Sequence, residues 1–292
     1  MPSDAERAAP VTLRSLARAA RAGSRFACLT CYDATTARWL ARAGVEVLLV
    51  GDTAAEVVLG LPGTIHASMD FLVQITAAVK RGAPDRVVMA DMPFMSYQAS
   101  PDDALRNAAR FLTEGIADCV KLEVDRSWAP LVERLSRSGI PVVAHIGSRP
   151  QQAKVKGGNF AVGRTAEEAM SLVHDAAALE AAGASMLLVE ACPGEVARVV
   201  VDRATVPVIG CGAGPSCHGQ VVVLHDLLGM SDWQPAFARP EAALGEATRT
   251  AAAAWSARVR AGGAEDAYRM GEGEMDRLRA MLSAGSGSHA KA

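Results

Sequence analysis

Residues 45–52, VEVLLVGD, form an apolar run that stops on Asp52, and the chain repeats the arrangement further on. RVVMAD (86–91), DCVKLE (118–123), PVVAH (141–145) and ASMLLVE (184–190) stop on Asp91, Glu123, His145 and Glu190. Short Val- and Leu-rich runs of this kind read as strands covered on both faces. In a parallel barrel the strand ends and the loops after them share one face, so polar groups far apart in sequence meet at one ligand. The carboxylates among these ends point first to a hard divalent cation and a base.

Working outward, strand-like runs alternate with Ala-rich helical stretches. RFACLTC (25–31) leads to TARWLARAG (36–44), VEVLLVGD to MDFLVQITAAVKRGA (69–83), and RVVMAD to PDDALRNAARFLTEG (101–115). DCVKLE, PVVAHIG (141–147), ASMLLVE, VPVIGCGAG (206–214) and QVVVLHDLLG (220–229) continue the series, with helical patterns between most of them. Such alternation predicts a parallel sheet. Gly44, Gly82, Gly115, Gly139 and Gly183 stand where helices are expected to stop. The count favours an α/β fold, a (β/α)8 TIM-type barrel forming a single domain. A doubly wound sheet would usually carry a dinucleotide fingerprint, and no GxGxxG follows the first strand. The barrel domain is expected over residues 1–262, including a helix over 241–262 with Trp255 and Val259 on one face. A C-terminal extension follows over 263–292, with the ending SAGSGSHAKA (283–292) expected to be disordered.

The chain has 292 residues, half of them hydrophobic but only 4% aromatic, so its core should be built from Ala, Val and Leu. A formal net charge of −2 leaves no basic footprint for nucleic acid or an anionic membrane surface. No apolar stretch is long enough to span a bilayer, and MPSDAERAAP does not read as a secretory signal, so a cytoplasmic protein with a small-molecule ligand is expected. The six cysteines lie mostly in or beside strand-like runs. Cys28 and Cys31 form a lone CxxC without a second ligand pair, which favours buried structural thiols over zinc or disulfides.

Asp52, Asp91 and Glu123 suit Mg²⁺, which takes a few carboxylate oxygens and keeps waters, with Mn²⁺ or Co²⁺ as other possibilities. For each acid taken singly, a helix cap or loop ion pair is the competing reading. Lys121 precedes Glu123 by two residues and shares its face, placed to meet a substrate anion or to pair with one of the acids. Glu190 closes an apolar run where a carboxyl has a raised pKa and can act as a general base. His145 is a second acid–base or hydrogen-bonding group, or a structural histidine. The stretch IGCGAG (209–214) suits an anion or simply a tight turn.

LLVGD (48–52), VKRGAP (79–84), ADMPFMSY (90–97), VKLE (120–123), HIG followed by PQ (145–147, 150–151), DAAALEAAGA (175–184), GAG (212–214) and GQVVVLHDLLG (219–229) together resemble the ketopantoate hydroxymethyltransferase family. The resemblance runs from Leu13 to Arg239. It implies a (β/α)8 barrel that moves a one-carbon unit from 5,10-methylenetetrahydrofolate to C3 of 3-methyl-2-oxobutanoate, within pantothenate biosynthesis. It also implies a homo-oligomer, commonly a decamer of two stacked pentamers. By the same resemblance Asp52 and Asp91 match metal ligands, with Glu123 reaching Mg²⁺ directly or through water. Asp52, Thr53, Asp91 and Lys121 match positions that hold the 2-oxo acid, to which His145 is added as a hydrogen-bond donor. Glu190 matches the catalytic base.

Several positions depart from the family pattern. Thr53 replaces Ser, AEVVLGLPGTIHAS (55–68) replaces a stretch ending Asp-Ser-Thr-Leu-Pro-Val-Thr, and GGNFAVGR (157–164) replaces Gly-Gly-Tyr-Lys-Val-Gln-Gly-Arg. Val124 and Asp125 replace two glycines, and His218 replaces Asp. These changes motivate a second reading, the same chemistry on another 2-oxo acid. A third places the barrel among the Mg²⁺-dependent 2-oxo acid lyases and mutases. A non-catalytic scaffold would leave Glu190 and Lys121 as charges near an apolar core without a purpose.

Overall fold

The computed structural model describes residues 9–264 and 267–285. Eight strands close into one parallel barrel: β1 Phe26–Thr30, β2 Val47–Val50, β3 Val87–Asp91, β4 Cys119–Glu123, β5 Val142–Gly147, β6 Met186–Glu190, β7 Val208–Cys211 and β8 Gly219–Val222. They follow one another in sequence order, and β8 pairs with β1 to complete the ring. The expected (β/α)8 architecture is therefore observed. All eight strands lie in one barrel domain.

The period-2 alternation of side chains divides the core in two. Cys28, Val47, Leu49, Val87, Met89, Cys119, Val143, Met186, Leu188 and Ile209 point inward and pack as one cluster, which Leu16 of the helix Leu13–Arg21 joins. Leu48, Val50, Val88, Ala90, Val120, Leu122, Ala144, Leu187 and Val189 point outward against the helices, each of them buried. Each Val, Leu, Ile or Met among them contributes about 1.5–3 kcal/mol on burial, and the alanines less. Small and branched residues fill both layers, as the low aromatic content requires.

Local signals start the helices. Ser68, Ser100 and Thr165 accept the N–H of Phe71, Asp103 and Glu168, and Pro101 with Asp102 and Asp103 opens the helix Pro101–Thr113. At their ends the expected glycines divide by role. Gly44, Gly139 and Gly183 take positive φ just past helices, whereas Gly82 is the last residue of the helix Met69–Gly82 and has no room for a side chain: a Cβ there would lie 2.4 Å from the Ala34 carbonyl oxygen. No helix separates β7 from β8. The loop 212–218 alone returns the chain, a departure from the strict strand–helix alternation.

Contacts divide the chain into a unit ending at Ala243 and a second beginning at Leu244. The expected helix is present as Leu244–Arg260 but groups with the second unit, and Trp255 and Val259 are both exposed. Of the ending expected to be disordered, Ser283–Gly285 close the helix Glu274–Gly285, and 286–292 lie outside the described residues. The six cysteines are free, as expected. No helix among the described residues is long and apolar enough to cross a membrane.

Gly147 ends β5 with φ 98°, and a Cβ there would sit 2.3 Å from the carbonyl oxygen of Glu190. Gly139 has a similar φ of 84° but open space around it. Gly139→Ala should therefore cost about 1–2 kcal/mol from backbone conformation alone, and Gly147→Ala distinctly more because neighbouring backbone must also move. Urea denaturation of the two variants checks this; equal losses would contradict it.

Candidate active site

The last inward-facing residue of most strands is polar, and these groups meet at one end of the barrel. Thr30, Asp52, Thr53, Asp91, Lys121, Glu123, His145, Glu190 and Cys211 line one cavity of about 440 Å³. All seven residues singled out from sequence are thus in the same place. Strand register explains it: Asp91 pairs with Lys121, Glu123 with His145, and Glu190 with Cys211 on neighbouring strands.

Lys121 Nζ lies 2.7 Å from Asp91 Oδ1 and 3.2 Å from His145 Nδ1. Burial works against the ammonium, but Asp91, Asp52 and Glu123 outweigh it and hold its pKa above the ordinary value. A charged ammonium only donates, so His145 Nδ1 accepts and its proton sits on Nε2. Burial, reinforced by Lys121, pushes the His145 pKa well down, and the ring is neutral. Its Nε2 lies 3.5 Å from Glu190 Oε2, longer than a full hydrogen bond. Burial pushes Glu190 up to about 7, Lys121 opposing and Asp52 and Asp91 reinforcing the rise. Asp91, Lys121, His145 and Glu190 thus form a continuous polar line across the barrel. Ala191, directly after Glu190, is held at φ 48°, a backbone cost of about 1 kcal/mol or more located at the site.

The acids form the other side. The Asp52 backbone N–H donates to Asp91 Oδ2 at 3.0 Å, which orients the Asp91 carboxylate, and both acids line the cavity. Burial pushes Asp91 up to about 6 against the pull of Lys121, and burial with Asp52 pushes Glu123 well above the carboxylate range. Crowded, dehydrated carboxylates with one ammonium among them favour a further cation. All the donors are oxygens, which fits a hard divalent ion. Among the described residues no three His, Cys, Asp or Glu side chains converge as a preformed metal cluster, so water or substrate oxygens would have to complete the shell.

One residue that sequence reasoning passed over ties the acids together. Gln151 donates its backbone N–H to Glu123 Oε2 at 3.0 Å, and its side-chain NH₂ to Asp52 Oδ2 at 2.9 Å and the Met92 carbonyl at 3.0 Å. Its Oε1 accepts from Tyr97 and Gln98. Gln151 and Tyr97 lie inside PQ and ADMPFMSY, so their segments were visible in the sequence. Their role was not, because it depends on loops after β3 and β5 meeting over the barrel.

A model of the family described as ketopantoate hydroxymethyltransferase matches residues 10–263. The chain belongs to the ketopantoate hydroxymethyltransferase family. It is 41% identical over 281 residues to 3-methyl-2-oxobutanoate hydroxymethyltransferase of Hyperthermus butylicus, covering 95% of this chain and 97% of that one. It is 44% identical over 252 residues to the enzyme of the same name from Thermobifida fusca, covering 86% and 90%. Among solved structures, phosphonopyruvate hydrolase in complex with oxalate and Mg²⁺ is similar with a TM-score of 0.60 at 15% identity, covering 96% and 100%. 2,3-Dimethylmalate lyase is similar with a TM-score of 0.56 at 20% identity, covering 94% and 96%. These structures share the barrel fold.

The departures from the family pattern fall in two groups. Thr53, Glu56, Thr64, Asn159, Phe160 and Ala161 line the cavity. Val124, Asp125 and His218 do not: Asp125 pairs with Arg149 at 2.6 Å, and His218 Nδ1 accepts the Val208 N–H at 3.0 Å near the start of β7. Of the glycines of IGCGAG, Gly210 lies within β7 while Gly212 at φ 59° and Gly214 at φ 74° serve the turn, and of that stretch Cys211 alone reaches the cavity.

Gln151→Leu should cost about 2–4 kcal/mol, since it strands the Met92 carbonyl and removes the side-chain donor to Asp52 Oδ2, whereas the Tyr97 hydroxyl keeps the Glu123 carbonyl at 3.1 Å. Gln98→Ala, which removes one peripheral donor, should cost less than about 1 kcal/mol. Denaturation midpoints test the pair, and similar losses would deny Gln151 its linking role.

Proposed function

We propose that this chain transfers a hydroxymethyl group from 5,10-methylenetetrahydrofolate to C3 of 3-methyl-2-oxobutanoate, giving 2-dehydropantoate in pantothenate biosynthesis. The observation that carries the reading is the Glu190 carboxyl, poised at about 7 across the same cavity as the Asp91–Lys121 pair. A base tuned near neutrality is what removal of a proton next to a 2-oxo group needs. Glu190 takes the C3 proton, and the electron pair left on the substrate forms the new C–C bond to the methylene carbon. Water supplies the hydroxyl oxygen. Both C–N bonds to that carbon are replaced, by C–C and C–O, and tetrahydrofolate leaves with two N–H protons.

Lys121, kept charged by its acidic neighbours, meets the substrate carboxylate and offsets negative charge as C3 ionises. The His145 Nε2–H, fixed in direction by Lys121, serves as donor to a substrate oxygen or to Glu190. Thr53 lies in the cavity to contact the acid. Asp52 and Asp91 would hold a divalent cation, Mg²⁺ by preference, with Glu123 acting through water, and the ion would supply Lewis-acid polarisation of the 2-oxo group. The identity to hydroxymethyltransferases supports this reaction over the lyase and mutase alternatives, for which the likeness is one of fold. The family resemblance also supports a cytoplasmic homo-oligomer, a decamer by analogy, and the folate donor.

Glu190→Gln should lower turnover by about 10²–10⁴ while leaving binding of the 2-oxo acid within a few-fold. A carboxyl raised to about 7 is charged only above that pH, so kcat/KM of the parent should rise with pH and level off above about 7. Asp91→Ala should instead weaken Mg²⁺ binding, read by calorimetry. Unchanged turnover in the first variant removes Glu190 as the base, and unchanged Mg²⁺ affinity in the second removes Asp91 from the metal site.

A further inference from the structure

Toward solvent, the cavity holds groups that the mechanism above does not use. Asp226 is 7% exposed, lies just after β8 in the short helix Leu224–Leu227, and lines the cavity. Its carboxylate takes part in no hydrogen bond or ion pair with the described residues. Glu56 lines the same cavity and senses that charge: burial, then Asp52 and Asp226, raise its pKa. Lys121 and His145 are the basic side chains in the lining, the first committed to Asp91 and the second neutral. The Asp226 carboxylate is thus an acceptor facing the cavity that no basic side chain of the lining neutralises, open to water or to a ligand that brings donors.

The walls indicate what kind of ligand. In a chain with 4% aromatic residues, three of the exposed rings gather here: Phe160 is 58%, Trp233 78% and Phe237 48% exposed, and all three line the cavity. Phe237 lies so close to the backbone that a Cβ on Gly212 would meet its ring at 2.6 Å. Rings left open at a cavity mouth offer faces for a flat partner. Two acceptor carboxylates beside them select a partner whose edge carries adjacent N–H groups.

We propose that Asp226 and Glu56 accept the N–H edge of a flat amino-substituted heterocycle laid against the rings of the mouth, namely the 2-amino-4-oxo pteridine of the one-carbon donor. This assignment rests on the proposed transfer reaction and names the part of the site that takes its second substrate. Glu56 and Phe160 belong to the two loops that depart from the family pattern, so this chain holds the pteridine with residues of its own. The acidic lining repels the carboxylates of the glutamate tail, which extends to solvent.

The test is equilibrium binding of tetrahydrofolate to the full chain, measured by calorimetry. Asp226→Asn and Glu56→Gln should each weaken binding about tenfold or more, the usual loss when a charged acceptor of a hydrogen bond is removed. A tetrahydrofolate analogue lacking the 2-amino group should bind the parent protein about tenfold more weakly, with little further loss in Asp226→Asn. The analogue keeps the proposal testable if a variant fails to fold. Binding of tetrahydrofolate by both variants as tightly as by the parent, or a parent that does not distinguish the analogue, overturns the subsite and leaves the transfer reaction standing. A parent that binds no tetrahydrofolate overturns the folate donor as well.

Discussion

A lysine inside a barrel has to be paired, and Lys121 is paired with Asp91 at 2.7 Å. Breaking such a pair leaves an uncompensated buried charge, at a cost of about 3–5 kcal/mol. Much of the site follows from it. The ammonium fixes the tautomer of His145, which faces Glu190, and lowers the resistance of Asp91 to ionisation in a place that burial makes hostile. Asp91 in turn receives the N–H of Asp52, and Asp52 receives the side chain of Gln151. One buried ion pair thus links groups from six loops and strands, the pair's own two included, without any of them being adjacent in sequence.

The barrel makes this possible through its pleat. Inward positions near the strand starts carry Val, Leu, Met and Cys and form a dry plug, while the last inward position of each of several strands is polar. Stability and chemistry occupy different layers of one cylinder. The same separation explains why burial shifts the acids upward rather than destroying the fold: the plug supplies apolar contact, and the polar layer above it is hydrogen-bonded to its neighbours.

Strand ends were the legible part of the sequence. VEVLLVGD, RVVMAD, DCVKLE, PVVAH and ASMLLVE announced both the parallel sheet and the convergence of Asp52, Asp91, Glu123, His145 and Glu190, because period and fold together fix where the last inward residue goes. Gln151, Tyr97 and Asp226 were not legible. Their positions depend on how loops after different strands fold over the mouth, and no local period encodes that. Gly82 was read as a helix stop and the helix does end there, but its close packing against Ala34 rests on a neighbour in space and was not legible. The missing helix between β7 and β8 likewise depends on contacts rather than on pattern.

The central claim is that the Glu190 side of the cavity removes the C3 proton of a 2-oxo acid held by the Lys121 and Asp91 side. Proton exchange at C3 of 3-methyl-2-oxobutanoate in D₂O, followed by NMR with and without Mg²⁺ and in the absence of folate, isolates that step from transfer. The account predicts exchange that depends on both protein and Mg²⁺. No exchange from folded protein with the metal bound would contradict it and point to a different 2-oxo acid.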